Sequence, residues 1–156
     1  MSTSETTKLV TDIAGLAELV GTTAGPTPWQ VMDQDRVNLF ADATDDHQFI
    51  HVDVERAKQT PFGGTIAHGY LTLSLLAPLL AEMVEVSDAK MGVNYGLDKV
   101  RFPAPLPVGA EFRASSELLE VKEVGGGVQI KSRVTVEVKG SEKPCCVAEA
   151  LVRFYG

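Results

Sequence analysis

Between Tyr70 and Val84, 11 of 15 residues are apolar. In helical register that surface runs most of the way round the axis, and such a helix must be buried on nearly all sides. Something else in the chain therefore has to wrap it. Pro78 removes one backbone hydrogen bond and predicts a kink part-way along the helix, which is expected over Gly69–Val84. Thr72, Ser74 and Pro78 interrupt the run, and it is too short to cross a bilayer.

The wrapping material lies downstream. Met91–Phe102 reads as a strand, closed by Pro103, Pro105 and Pro107, and Glu111–Val121 reads as another. Gly125-Gly126-Gly127 turns the chain into Val128–Val138, where valines and Ile130 largely alternate with polar residues. The segment from Gly140 to Pro144 turns it again into Cys145–Phe154. Upstream, Leu9, Ile13, Leu16, Ala17 and Val20 fall at helical spacing and predict a short helix over Lys8–Val20, after a Ser/Thr-rich, disordered start at residues 1–7. Trp29–Met32 is expected as a short strand. Asp33 is placed to cap a helix through Val37, Phe40, Ala41 and Thr44, ending before Asp45-Asp46. Asp53 is placed to cap another over Val54–Gln59, and Thr60–Gly64 is expected as a loop. The outcome is an α+β fold in which a curved antiparallel sheet wraps a central helix. Residues 1–27 are expected as a tail with a short helix, and residues 28–156 as a single domain.

Charge narrows the partners. Lys+Arg 14 against Asp+Glu 21 leaves a net charge of −7, which argues against binding duplex nucleic acid or anionic lipid. The two cysteines, Cys145 and Cys146, are adjacent and poorly placed to bridge each other, and no CxxC exists. Residues 1–8 show no basic region leading into an apolar one. A soluble cytoplasmic protein with reduced thiols is the expectation.

Chemistry is concentrated in Ala41-Asp42-Ala43-Thr44-Asp45-Asp46-His47-Gln48-Phe49-Ile50-His51-Val52-Asp53. This stretch lacks helical period from Asp45 to Val52, yet Phe49, Ile50 and Val52 are interleaved with its polar residues, so it is expected to lie partly inside. A partly buried acid and imidazole must then be paired or at work. Asp46 and His51 converge only if the chain bends between them. Converged, they hold one water between groups suited to acid–base work near neutral pH. His47 and His51 also have metal-ligand spacing, with Asp45, Asp46 and Asp53 as oxygen donors, but there is no HExxH and no helical register, so no metal is expected. The second element is Ile66-Ala67-His68-Gly69. A glycine opening a helix admits close approach to unpaired N–H groups, which can stabilise an oxyanion or a polarised carbonyl.

These residues resemble the MaoC-like family, the (R)-specific enoyl-CoA hydratases of the hot-dog fold. The family motif Asp-x-Asn-Pro-x-His stands here as Asp46-His47-Gln48-Phe49-Ile50-His51, preceded by Thr44 and followed by Asp53, with Gln48 and Phe49 replacing the usual Asn and Pro. His68-Gly69 matches the family's His-Gly at the central helix. Asn94-Tyr95-Gly96, with Phe102-Pro103 through Gly109, matches its strand and turn. The likeness runs from about Pro28 to Phe154. It implies hydration of a trans-2-enoyl thioester to an (R)-3-hydroxyacyl product, or the reverse dehydration, with Asp46 and His51 catalytic and the Gly69 N–H on the thioester carbonyl. Gln48, His68, Asn94, Tyr95 and Gly96 are implied as substrate-binding. It implies no metal or redox cofactor, CoA or acyl carrier protein as the substrate's own carrier, and a homodimer joined edge to edge. Lys58, Lys99 and Arg101 are candidate partners for CoA phosphates, though solvated surface cations account for each better. Two rival readings remain at this stage: a hot-dog thioesterase that attacks the carbonyl, and an acyl-thioester binder without turnover.

Overall fold

The computed structural model describes residues 6–156. In chain order it contains β1 (Leu9–Thr11), a 3-10 turn (Leu16–Leu19), β2 (Thr23–Ala24), β3 (Gln30–Val31), α1 (Gln34–Thr44), α2 (Phe49–Val52), α3 (Val54–Ala57), α4 (Gly69–Ser74), α5 (Leu76–Met83), β4 (Val84–Val86), β5 (Met91–Arg101), β6 (Glu111–Val124), β7 (Gly127–Val138) and β8 (Cys146–Tyr155). An antiparallel sheet in the order β2-β6-β7-β8-β5, with β3 also on β6, curves round α4 and α5. β1 and β4 form a separate parallel pair. No helix among the described residues is long and apolar enough to cross a membrane.

Alternation along the long strands builds the concave face. Phe112, Ala114, Ser116 and Leu118 of β6 point inward, as do Val134 and Val136 of β7 and Cys146 and Ala148 of β8. Registers such as Ala114 opposite Val136 and Val134 opposite Ala148 set small side chains beside larger ones. Leu76, Leu79 and Met83 of α5 fill the hollow so formed. Burying each large apolar side chain stabilises the fold by roughly 1.5–3 kcal/mol. Gly126 turns β6 into β7 with φ at 85°, a left-handed conformation that favours glycine.

Pro78 acts as expected, and its effect is a break between α4 and α5. Proline has no N–H to offer the Ser74 carbonyl, and the helix tightens at Leu75, whose N–H is shared between the carbonyls of Leu71 and Thr72. The expected burial on nearly all sides is not complete. Tyr70, Ser74, Ala77 and Ala81 form an exposed flank, because within one chain the sheet reaches only part of the way round.

The N-terminal helix expected over Lys8–Val20 does not form. Leu9–Thr11 is extended against Val84–Val86, and only Leu16–Leu19 coils. Asp12 stops helical propagation by taking the Gly15 N–H on its side chain at 2.7 Å. The apolar spacing serves two clusters instead of one helix face: Leu9 packs on the main core, while Leu16 is fully buried with Leu118, Val128 and Ile130. Thr7 exchanges two backbone hydrogen bonds with Gly25, so it is ordered, against the disorder expected through residue 7. The rest of that expectation concerns residues 1–5, which lie outside the described residues. Cys145 and Cys146 are free and buried, and burial pushes their thiols up to about 12 and about 11.

Candidate active site

Asp33 caps α1 by accepting the Arg36 N–H, and Val37 and Ala41 face inward, so the helix ends at Thr44 as its spacing predicts. Asp45 then takes a left-handed conformation, φ 60°, which Asp tolerates better than most residues. The chain bends there. One turn of helix forms at Phe49–Val52, where no regular structure is expected from the sequence; the Gln48 carbonyl takes the His51 N–H and the Phe49 carbonyl takes the Asp53 N–H. Asp53 caps α3 through the Arg56 N–H.

The bend delivers Asp46 to the surface and His51 to the interior. His51 is 7% exposed. Its Nδ1–H donates to the Ile66 carbonyl at 2.7 Å; because a carbonyl only accepts, the neutral ring keeps its lone pair on Nε2. Burial pushes the His51 pKa below 6.5; the Ile66 carbonyl and Asp46 oppose this, and His68 adds to it. The ring is therefore a neutral acceptor at pH 7.

Ile66 is fixed from both sides. Its N–H donates to Ile50 at 3.0 Å, and its neighbours clip to the turn after β5: Ala67 N–H to Leu106 O at 2.8 Å, and Val108 N–H to Thr65 O at 2.9 Å. The proline-rich turn from Phe102 to Gly109 thus positions the entry to α4. His68 follows. Its Nε2–H donates to the Asp46 backbone carbonyl at 2.9 Å, and its ring stacks on His51 with centroids 3.8 Å apart and planes 23° apart.

A carboxylate oxygen of Asp46 and one ring nitrogen each of His51 and His68 lie within 4.8 Å of one another. A water making two hydrogen bonds of ordinary length spans donor and acceptor atoms roughly 4.5 Å apart. The same three groups are close enough to suggest a metal centre, but two nearly parallel stacked rings cannot aim their in-plane lone pairs at one point. His51 Nδ1 and His68 Nε2 are also already committed. His47 is turned away: its Nε2 pairs with Asp42 at 2.8 Å on the exposed side of α1, which raises its pKa. The His47–His51 ligand pair is not assembled.

Gly69 opens α4 beside a cleft of about 330 Å³ lined by Phe62, Thr72, Phe102, Pro105 and Cys145. A Cβ there would meet the Phe102 ring at 3.3 Å, so glycine allows ring and helix start to approach closely. Gln48 is exposed on the bend and serves through its backbone. Asn94, Tyr95 and Gly96 are not gathered with Asp46 and His51. They lie at a bulge of the edge strand β5 and line a separate groove of about 280 Å³ against Leu73, Ser74 and Ala77 of the central helix. Two supports escaped the sequence. Gln34 Nε2–H donates to the His51 carbonyl at 2.8 Å, and Thr65 donates to Gln34 at 2.7 Å. Their separations, 17 and 31 residues, leave no local signal.

With this geometry in place, comparison with known proteins is specific. A family model described as MaoC like domain matches residues 16–141. The 3-hydroxyacyl-thioester dehydratase Z of Mycobacterium tuberculosis is 54% identical over 143 residues, 91% of this chain and 95% of that protein. The solved structure of an (R)-hydratase from A. caviae involved in PHA biosynthesis superposes with a TM-score of 0.71 at 25% identity, over 85% of this chain and 94% of the other. R-hydratase PhaJ1 from Pseudomonas aeruginosa superposes with a TM-score of 0.69 at 26% identity, over 90% and 84%.

Proposed function

The chain belongs to the MaoC-like domain family and is an (R)-hydratase/3-hydroxyacyl-thioester dehydratase, a hydro-lyase, and from that premise we propose that Asp46, His51 and Gly69 carry the reaction. The observation behind this assignment is a neutral His51, its Nδ1–H held by Ile66 and its lone pair on Nε2, with a ring nitrogen within 4.8 Å of an Asp46 carboxylate oxygen.

The proton inventory follows from the protonation state. The Asp46 carboxylate accepts one hydrogen of the bound water and orients it. His51 Nε2 takes the other as the water oxygen bonds to C3 of the trans-2-enoyl thioester. The electron pair of the C2–C3 double bond moves through C2 to the thioester oxygen, and the Gly69 N–H holds the enolate there. The imidazolium then gives its proton to C2, leaving neutral His51 and the 3-hydroxyacyl product. The reverse sequence is the dehydration. The acyl chain extends from Gly69 along the central helix toward the groove at Leu73, Ala77 and Asn94. The carrier is CoA or acyl carrier protein.

A second copy of this chain completes the molecule at β5. Every residue from Met91 to Lys99 is exposed. Met91, Val93, Tyr95 and Leu97 are 39–56% exposed on a sheet edge with open backbone hydrogen-bonding groups. A long apolar edge of that kind is covered in a stable protein.

The test uses purified protein with trans-2-enoyl-CoAs of increasing chain length and the corresponding acyl-carrier-protein thioesters. Loss of the enoyl chromophore with formation of the (R)-3-hydroxy product supports the assignment, provided Asp46→Asn abolishes it without unfolding the chain. Release of free thiol with the double bond intact would overturn it in favour of thioester hydrolysis.

A further inference from the structure

The mechanism above leaves His68 idle, although it is 2% exposed and sits at the centre of the site. One edge of the ring donates to the Asp46 carbonyl, one face stacks on His51, and Phe40 lies 4.8 Å away, tilted at 58°. The other nitrogen, Nδ1, is buried with no hydrogen-bond partner among the described residues. Since the Asp46 carbonyl can only accept, Nε2 carries the proton and Nδ1 the lone pair.

We infer that His68 is a positioning residue for the hydration: a clamp that ties the main chain of Asp46 to the ring of His51 and fixes the gap in which the water is held. The inference rests on the assignment of Asp46 and His51 made above. The two partners differ in how much they need a clamp. His51 has its own ties, through Nδ1 to Ile66 and through its backbone carbonyl to Gln34. Asp46 sits on an exposed bend directly after the left-handed Asp45, and among the described residues its carboxylate reaches only the Gln48 N–H, at 3.4 Å. Without His68 the carboxylate is the group that drifts. The loss then falls on the chemical step and leaves substrate binding in the cleft largely intact.

Two variants separate the clamp's parts. His68→Phe keeps a ring against His51 and removes the donor; His68→Gln keeps an amide N–H near the Nε2 position and removes the ring. A displacement of about 1 Å at a reacting group costs about 10²-fold in rate, so His68→Phe should lose about that in kcat with KM changed less than about threefold, and His68→Gln should recover about tenfold of it.

A KM increase at unchanged kcat, or full activity in His68→Phe, would overturn the inference. Nitrogen-15 NMR of the wild-type protein reads the clamp without turnover or mutation. The His68 ring should carry its proton on Nε2, bonded to the Asp46 carbonyl, and an Nδ1–H tautomer would overturn it. If wild-type protein hydrates no enoyl thioester, the functional assignment falls, while the NMR result still decides whether the clamp exists.

Discussion

His51 does two jobs through its two nitrogens, and one pair of substitutions can divide them. Asn at position 51 places an amide N–H near the position of Nδ1 and can keep the bond to Ile66, but has nothing at the position of Nε2. Gln reaches toward Nε2 and gives up the Ile66 bond, which the native ring makes at 2.7 Å. Leaving that buried carbonyl unpaired costs about 1–3 kcal/mol. For a chain of this length each kcal/mol lowers Tm by about 2–4 °C. His51→Gln should therefore melt well below His51→Asn. General base catalysis contributes about 10²–10⁴-fold, so both variants should lose that much in kcat/KM whatever their stability. Crotonyl-CoA hydration and thermal melting are measured side by side on the same preparations. Near-native activity in a folded His51→Asn protein would refute the base assignment, because Nε2 is what that variant lacks and the Ile66 bond is what it keeps.

Two further outcomes follow from the same structure. Burial, its largest cause, pushes the His51 pKa below 6.5; the base must be unprotonated, so kcat/KM should rise with an acid-limb midpoint below that value. By linkage, a depressed folded-state pKa adds stability that is present above 6.5 and lost as pH falls through the folded value, and His51→Asn should remove that part of the acid dependence of Tm. At the open edge of the sheet, Leu97→Lys should convert a dimer into a monomer of 16.7 kDa by light scattering, and an unchanged dimer mass would place the interface elsewhere.

The second half of the chain was readable because its elements obey local rules. The runs Glu111–Val121 and Val128–Val138 read as strands and form β6 and β7, and Asp33 and Asp53 announce the starts of α1 and α3. The N-terminal segment misled because apolar residues at helical spacing were divided between two clusters, a tertiary assignment that no window of sequence contains. The site was legible in part. Asp46, His51 and His68-Gly69 stood out as chemistry-bearing residues at a break in pattern. Gln34, Thr65 and the Ile66 carbonyl did not, since their work is to hold His51 across 15 to 31 residues of intervening chain. Asn94, Tyr95 and Gly96 stand out by motif alone, and the edge strand sets them in a groove along the central helix, apart from Asp46 and His51.

The division of labour explains why the reacting groups sit on a bend and not on the sheet. A strand residue is fixed by its ladder and points either into the core or out to solvent. The reaction needs something between: one group desolvated enough to stay neutral and an exposed acid beside it. Asp45 supplies the break, turning the chain out of α1 at φ 60°, and a single turn of helix then carries His51 inward five residues after the exposed Asp46. Such a bend has little rigidity of its own. Its precision comes from what is bolted to it: Gln34 from α1, the Ile66 carbonyl held by the Leu106 clip, and the His68 ring at the head of α4. The apolar helix that the sheet must wrap therefore brings His68 and Gly69 with it, and wrapping it sets a hydrogen-bond donor, a stacking ring and a carbonyl beside an otherwise mobile carboxylate. On this view the Phe102–Gly109 turn acts on catalysis by holding Ile66 and the start of α4 in place, at a distance from the water itself.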